Sequence, residues 1–316
     1  MKKAFEKLNL RDYGVLLGFL ALCIAISIAT PSFLGKQNIL NLLRQSSIIG
    51  IISAGMTFVI ISGNFDISVG AVAALAGAIT MKFATGGTNL FASMFLGVAI
   101  CAVIGLINGI VVAKINVPSL IATMAMVTIV RGLLLMLTGG YPITENIPIL
   151  DYIGNGYLFN IPIPVVIFFI VVLASFIVLN KTKFGRYVYS VGGNQEASKL
   201  NGINVDSHKV KVFIINAVLA GIAGIVLTGR LGTATAIAGE GYDMDAIASV
   251  VIGGTSVAGS SGSVLKTVIG VLLMSVINNS FNLLGIDVYF QYIFKGLIIL
   301  AAVGFDSYSK KKLASR

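Results

Sequence analysis

Long apolar stretches separated by short polar segments account for almost the whole chain. A helix needs about 20 predominantly apolar residues to cross roughly 30 Å of hydrocarbon, and eight stretches are close to this length or exceed it. They are 14–30, 46–62, 90–113, 118–138, 161–180, 211–230, 264–284 and 289–305. Two shorter apolar runs, 67–81 and 246–258, contain glycine and begin beside acidic residues. We interpret these two as short or broken helices, and we predict an all-α fold with about ten transmembrane helices.

The two short runs occupy matching places along the chain. Each is the third of five predicted spans, and Asp66 opens the first run as Asp245 opens the second, where it could cap the helix. Because five is an odd number, a second half built like the first would enter the membrane in the opposite direction. We therefore expect two inverted five-helix halves, about 1–150 and 151–316, within one transmembrane domain that covers residues 1–316.

The composition excludes a soluble protein. Of the 316 residues, 57% are hydrophobic and only 11% are charged, whereas a soluble domain is roughly 25% charged. The mean hydropathy of +0.97 agrees with this reading. Soluble enzymes, nucleic-acid-binding proteins and disordered chains are therefore excluded, and a multi-pass protein of the lipid bilayer is expected.

The basic residues indicate the orientation of the chain. If both termini are cytoplasmic, 16 of the 22 Lys and Arg residues lie on the inner side and four on the outer side, as the positive-inside rule requires. The segment 181–211 alone holds six of the inner ones. Arg131 and Lys295 fall inside predicted spans, where we expect them to snorkel to the surface or to pair with another helix. The net charge of +10 thus marks cytoplasmic loops rather than a nucleic-acid site.

No catalytic or metal-binding constellation is visible in the sequence. His208 is the only histidine, and Cys23 and Cys101 lie inside apolar stretches, where they act as small hydrophobic residues. The glycine-rich segments lack the Lys that follows the second glycine of a phosphate loop. We expect neither a metal, a cofactor nor a catalytic residue in this chain.

Three motifs carry a resemblance to a known family. Residues 61–70 read ISGNFDISVG, residues 192–205 read GGNQEASKLNGINV, and residues 241–248 read GYDMDAIA, followed by GGTS at 253–256. Together they resemble the permease subunits of bacterial ABC importers for ribose and related monosaccharides, in the branched-chain amino acid and monosaccharide permease superfamily. The resemblance extends over nearly the whole chain. The acidic residue Asp66 favours a sugar, because the amino-acid permeases of this superfamily usually lack it.

The resemblance implies a function and a set of partners. It implies a permease in the bacterial plasma (inner) membrane that imports a sugar by alternating access. It also implies a second copy of the permease, most simply a homodimer, together with cytoplasmic ATP-binding subunits that hydrolyse ATP and an extracytoplasmic sugar-binding protein. Two alternatives stay open at this point: an ion-coupled secondary transporter, and an ABC permease for another small solute such as a branched-chain amino acid.

The cytoplasmic loop 181–210 is the expected site of coupling to the ATP-binding subunits. Helix-forming residues between two glycines predict a short helix here, with Asn194 as its N-cap and Glu196 in its first turn. The run from Glu196 to Gly202 is similar to the coupling signature of ABC permeases. The coupling residues implied by this resemblance are Gly193, Asn194, Glu196, Ala197 and Gly202. An ordinary solvated loop is the alternative.

Other polar residues are candidates for the translocation path. Asn64, Asp66 and Ser68 surround the first predicted helix break, where we favour Asp66 as a helix cap that also shapes the path.

Asn278 and Asn282 are four residues apart and share one helix face. They would hydrogen-bond neighbouring helices or contact the passing sugar. Glu240 and Asp243 lie on the outer side, where they would dock the binding protein or remain in solvent.

Overall fold

The computed structural model describes residues 10–314, and the side chains of residues 16–304, and it is almost entirely helical. The helices, in chain order, are α1 Leu10–Ala29, α2 Lys36–Ile61, α3 Val69–Thr85, α4 Leu90–Ala113, α5 Ser119–Thr138, α6 Pro148–Asn155, α7 Ile163–Lys181, α8 Lys183–Gly193, α9 Gln195–Leu200, α10 Val205–Leu231, α11 Tyr242–Ile252, α12 Val264–Leu283 and α13 Val288–Ala314. The short 3₁₀ helix Pro31–Leu34 connects α1 to α2. The predicted all-α class is confirmed.

Four two-residue strands complete the described secondary structure. Strand β1 (Ile143–Thr144) pairs antiparallel with β4 (Thr233–Ala234), so the loop after α5 is joined to the loop after α10. Strands β2 (Tyr157–Leu158) and β3 (Ile161–Pro162) form a hairpin. The strands fix loops and build no sheet core.

A helix lies at each of the ten predicted positions, and six of the described helices are long and apolar enough to cross a membrane. These six are α2, α4, α5, α7, α10 and α12. Shorter apolar segments lie in α1, α3 and α13. Helix α11 has 11 residues, which is about 16 Å at ~1.5 Å per residue, or half a bilayer core.

Several helix ends differ from the prediction. Helix α2 begins at Lys36 rather than near 46, and α10 begins at Val205 rather than near 211. Hydropathy does not predict these first helical turns, because polar residues there extend each helix beyond its apolar part. Helix α11 ends at Ile252, because Gly254 takes a left-handed φ of 89° that stops it before the predicted end at 258.

Helices α2 and α10 form the centre of the bundle. Helix α10 packs against α2, α3 and α4. Close approach is possible because Gly224 has no side chain: a Cβ there would lie 1.8 Å from the carbonyl oxygen of Ala73. By contrast, only 28% of the 18-residue apolar stretch in each of α4, α5 and α7 is buried inside the bundle. These three helices turn exposed Leu, Ile and Phe side chains outward, as lipid-facing helices do.

The loops gather at two ends of the bundle. At one end, the 62–68 break between α2 and α3 meets α8 and the loop 253–263, where Ser260 N donates to Ile61 O at 2.9 Å. At the other end, β1 pairs with β4 and α6 packs on the last turn of α10. The first group coincides with segments predicted to face the cytoplasm, and the second with segments predicted to lie outside.

Candidate functional site

A groove with a volume of about 730 Å³ runs along one side of the bundle. Its walls come from the start of α3, one face of α5, the segment 236–244 and Tyr292 of α13. Most of the lining is apolar, and the side chains in it that carry polar groups are Thr128, Arg131, Glu240, Asp243 and Tyr292.

Non-helical backbone forms part of the groove. After α10 ends at Leu231, the chain passes through β4 and runs without a regular helix to Gly241. The Arg131 guanidinium donates from Nη1 to the carbonyl oxygens of Ala236 and Ala238, the latter at 3.1 Å. On the other side Gly239 lies against Gly70, where a Cβ would be 2.2 Å from Gly239 O. Irregular backbone within an apolar bundle is tolerated where protein groups satisfy it in this way.

The charged residues near the groove lie at similar depths. Arg131 and Lys295 are each seven residues from the nearest end of their helices, α5 and α13, or about 10 Å at ~1.5 Å per residue. Arg131 lies close enough to Glu240 and Asp243 for their charges to interact. The structure thus brings Arg131 together with the two acidic residues predicted for docking. Sequence reasoning did not predict that Arg131 lies beside these two carboxylates, although a lone arginine in an apolar span is a signal for function.

Asp245 joins three helices next to the groove. Its carboxylate forms an ion pair with Lys295, with Nζ 3.1 Å from Oδ1, and accepts from Asn278 Nδ2 at 3.4 Å. The expectation that Asp245 caps α11 is wrong, because it is the fourth residue of that helix and its described partners are side chains. Of the two alternatives expected for Lys295, snorkelling to the surface or pairing with another helix, the structure shows the pair.

The 62–68 break contains a second buried carboxylate. Asp66 is 1% exposed, and its Oδ1 accepts from the amide and the hydroxyl of Ser68 at 2.9 and 2.6 Å. Its Oδ2 accepts from Asn216 of α10 at 2.9 Å, and Asn108 of α4 donates to Ser68 Oγ at 3.1 Å. Helix α3 begins at Val69, so Asp66 binds one amide just before the helix rather than acting as its N-cap residue.

The residues predicted at the first break are together, but they do not line the groove. Asn64 donates to the carbonyl oxygen of Ser62 at 3.1 Å and is buried, like Asp66 and Ser68. Sequence reasoning missed Asn216 and Asn108 as partners. An asparagine inside an apolar span was the signal available for both.

Asn278 and Asn282 separate in the structure. Asn278 is buried and donates to Asp245, whereas Asn282 is exposed and accepts from Gln291 Nε2 of α13 at 3.2 Å. Both therefore make bonds between helices, and neither lines the groove.

The predicted coupling segment is a short exposed helix, α9. Asn194 is its N-cap residue, with Oδ1 accepting from Ala197 N at 2.9 Å, and Glu196 lies exposed in its first turn. Gly193 ends α8 and is exposed, and Gly202 follows α9 with a left-handed φ of 79°.

Leu200 at the end of α9 is 90% exposed. Sequence reasoning did not single out this residue, although an apolar side chain in a polar loop is a signal for a contact. Two bonds hold α9 to its neighbours: Ser198 Oγ lies 2.9 Å from Ser190 Oγ of α8, and Lys209 Nζ donates to Gln195 Oε1 at 2.8 Å.

Metal ligands are not grouped in the part of the chain that the structure describes. No three His, Cys, Asp or Glu side chains there lie close enough together to hold an ion. His208 instead packs its ring against Phe184 and Tyr187.

Comparisons with known proteins agree with this architecture. Residues 38–303 match the family described as branched-chain amino acid transport system / permease component. The chain is 43% identical to the ribose import permease protein RbsC of Haemophilus influenzae, over 93% of this chain and 94% of that protein.

It is 42% identical to RbsC of Bacillus subtilis, over 94% and 93% of the two chains. It is 35% identical to the L-arabinose transport system permease protein AraH of Escherichia coli, over 95% and 92%. No solved structure matches the chain. The superfamily predicted from the motifs is thus confirmed. The chain belongs to the family described as branched-chain amino acid transport system / permease component.

Proposed function

We propose that this chain is the transmembrane permease subunit of an ATP-binding-cassette importer, which moves a monosaccharide, ribose or a similar sugar, into the cytoplasm by alternating access. The observation that carries the proposal is the mostly apolar groove, in which Arg131 lies about 10 Å inside the end of α5 and shares the lining with Glu240 and Asp243. The substrate class is supported by relatives named for ribose and arabinose transport. ATP hydrolysis would belong to partner subunits.

Ten crossings in two inverted halves form part of this proposal, and the helix contacts support it. Helix α3 packs against α4, α5 and α10, whereas α11 packs against α12, α13 and α2. In two inverted halves, α2, α3, α4 and α5 would be equivalent to α10, α11, α12 and α13, in that order. Under this pairing, each of these contacts of α3 has an equivalent contact of α11. The polar links correspond as well, since Asn108 of α4 reaches the break before α3 and Asn278 of α12 reaches Asp245 of α11.

In this proposal the chain lies in the bacterial inner membrane with both termini in the cytoplasm. Its functional assembly would contain a second copy of the permease, cytoplasmic ATP-binding subunits and an extracytoplasmic sugar-binding protein. Glu240 is exposed and Asp243 is half-buried, and both line the groove. That position favours contact with the solute over docking of the binding protein.

The exposed helix α9 is the contact that we propose for the ATP-binding subunits. Gly193, Asn194, Glu196, Ala197 and Gly202 would shape and position it. Leu200 would supply the apolar anchor, because it is 90% exposed in the single chain.

Burying a Leu side chain contributes about 1.5–3 kcal/mol. We therefore expect Leu200→Ala to weaken co-purification of the ATP-binding subunits about tenfold or more, whereas the neighbouring Lys199→Ala serves as the matched control. Equal recovery of the subunits with both variants would argue against an anchor at Leu200.

The ion-coupled alternative depends on a titratable group in the path. Asp66 is one candidate for such a group, but it is buried, hydrogen-bonded to Ser68 and Asn216, and absent from the groove lining. This environment favours a structural role for Asp66, so Asp66 gives the ion-coupled alternative no support.

Reconstitution tests the proposed function directly. The complex that co-purifies with the tagged chain should take up radiolabelled D-ribose into proteoliposomes only when ATP and the sugar-binding protein are both supplied. The purified chain alone should show no uptake under a proton or sodium gradient. Gradient-driven uptake by the chain alone would overturn the importer and favour secondary transport.

A further inference from the structure

The groove is lined by two kinds of side chain. Most are aliphatic or methionine side chains, but Arg131, Glu240, Asp243 and Tyr292 also line it. They derive from α5, the non-helical segment, α11 and α13 respectively. Charged side chains inside a membrane bundle are costly and are usually found where a polar solute or an ion passes.

Part of the hydrogen-bonding capacity of this cluster is unused. Arg131 has five N–H donors, and within the described part of the chain only Nη1 donates, to Ala236 O and Ala238 O. Neither Glu240 nor Asp243 forms an ion pair with Arg131 in that part of the chain, although their charges interact. Donors on Arg131 and acceptors on two carboxylates therefore remain available beside the same space.

The aromatic residue adds a different kind of surface. Tyr292 is 61% exposed and lines the groove on the side of α13. Its ring offers a flat apolar face, and its hydroxyl can donate or accept a hydrogen bond. The volume of about 730 Å³ lies within the roughly 300–1,000 Å³ range of small-molecule sites.

We propose that this part of the groove is a transient monosaccharide site. Arg131 donates to the sugar hydroxyls, Glu240 and Asp243 accept from them, and the ring of Tyr292 packs against the C–H face of the sugar. This inference rests on the proposed function and adds the residues that touch the solute. The site holds the sugar weakly, because the groove is open and a bound sugar must leave it in each cycle.

Direct binding is the primary test. Saturation-transfer NMR with D-ribose as the probe, on the purified permease complex without its binding protein, should show transfer to the sugar protons. Tyr292→Leu and Asp243→Asn should each reduce the transfer at least fivefold, and they should reduce ATP-driven D-ribose uptake at saturating binding protein about tenfold. Arg131→Lys keeps the charge but not the planar fork, and it should give an intermediate loss.

Matched controls separate contact from folding. Tyr289→Leu changes an exposed tyrosine one turn earlier on α13, and Glu145→Gln changes a carboxylate that lines a different cavity. Both should behave like the wild type. Gel filtration and recovery of the ATP-binding subunits should be unchanged for every variant compared.

The outcomes distinguish the two proposals. If the wild type takes up D-ribose with ATP, but gives no transfer signal or the groove variants match the controls, the sugar site is wrong and the importer stands. If the wild type shows no ATP-driven uptake of any monosaccharide, the proposed function itself fails.

Discussion

Two aspartates at the helix breaks are stabilised by different chemistry. Asp66 accepts from neutral groups only, the amide and hydroxyl of Ser68 and the amide of Asn216. Asp245 instead forms an ion pair with Lys295, supported by Asn278. A buried carboxylate without partners is strongly unfavourable, so each arrangement ties the start of a short helix to other helices. The ion pair also holds α13 to α11, which is the helix that α13 mainly packs against.

The first prediction concerns this ion pair. Lys295→Met leaves the buried Asp245 carboxylate without its cation, and we expect it to destabilise the protein by about 3–5 kcal/mol. The double variant Lys295→Met with Asp245→Asn removes both charges and should recover part of the loss, with a coupling energy of about 0.5–3 kcal/mol. Thermal unfolding of the purified protein in detergent measures both effects. Strictly additive losses would show that the pair has no energetic coupling.

The sequence identifies these aspartates but not what they bind. Acidic residues beside apolar runs are visible in a single chain, and both lie at the predicted breaks. Their partners are distant in sequence: Asn216 is 150 residues from Asp66, and Lys295 is 50 residues from Asp245. Only the packing of the helices decides which polar side chains meet.

At the scale of elements, α8 connects α9 to the break before α3 and to the loop after α11. A Cβ on Gly192 would lie 1.8 Å from the carbonyl oxygen of Ile61, at the end of α2. The Tyr189 hydroxyl donates to Gly262 O at 2.9 Å, in the loop after α11. Ser190 and Ser198 also join α8 to α9, so α8 links α9 to the start of α3 and to the end of α11. We propose this as the route by which a partner bound to α9 would move the groove walls.

The second prediction tests the close approach at Gly192. Gly192→Ala forces α8 away from Ile61, because the clash is with backbone, and we expect uptake to fall at least tenfold while ATP hydrolysis by the assembled complex continues. Gly18→Ala in α1 is the matched control, because a Cβ there would meet no atom within 4 Å. Uptake and ATP hydrolysis are measured on the same proteoliposomes. A proportional loss of both rates, or an equal effect of the control, would contradict this route.

The third prediction removes one hydrogen bond from the same route. Tyr189→Phe deletes the donor to Gly262 O, which is worth about 0.5–1.5 kcal/mol, so uptake should fall roughly two- to tenfold. Tyr187→Phe is the control, since the Tyr187 ring packs on His208 at the surface. Burial raises the pKa of the Tyr189 phenol, so this group stays protonated below its usual pKa of about 10 and the loss should be constant from about pH 6 to 9. A loss that varies over this range would point to another group.

For the elements, hydropathy predicts that a helix exists better than it predicts where the helix ends. All ten positions contain helices, but α2 starts about ten residues before its apolar stretch. The amphipathic helix α8 was not predicted as a separate element, because its polar sequence reads as loop without the bundle surface beneath it. The groove could not be predicted either, since it depends on four segments that are far apart in the chain.

At the scale of the whole molecule, the loops gather in two groups, and the segment 236–244 after α10 reaches inward to the start of α3. The break at 62–68, α8 and the loop 253–263 contact one another, and the loops after α5 and α10 contact each other at the opposite end. The distribution of basic residues predicted the same division from sequence alone. Packing cannot say which end faces the cytoplasm, because a bundle has the same internal contacts in either orientation. The charge asymmetry carries that information.

Cysteine labelling in intact cells decides the orientation. Phe159, at the tip of the β2–β3 hairpin, and Leu200, at the end of α9, are each 90% exposed and are separated by a single candidate span, α7. In a background where Cys23 and Cys101 are replaced, a membrane-impermeant maleimide should label Phe159→Cys before permeabilisation and Leu200→Cys only afterwards. The reverse pattern would put α9 outside the cell, beyond the reach of cytoplasmic ATP-binding subunits. Labelling of both positions before permeabilisation would show that α7 does not cross, and the inverted halves would then have to be abandoned.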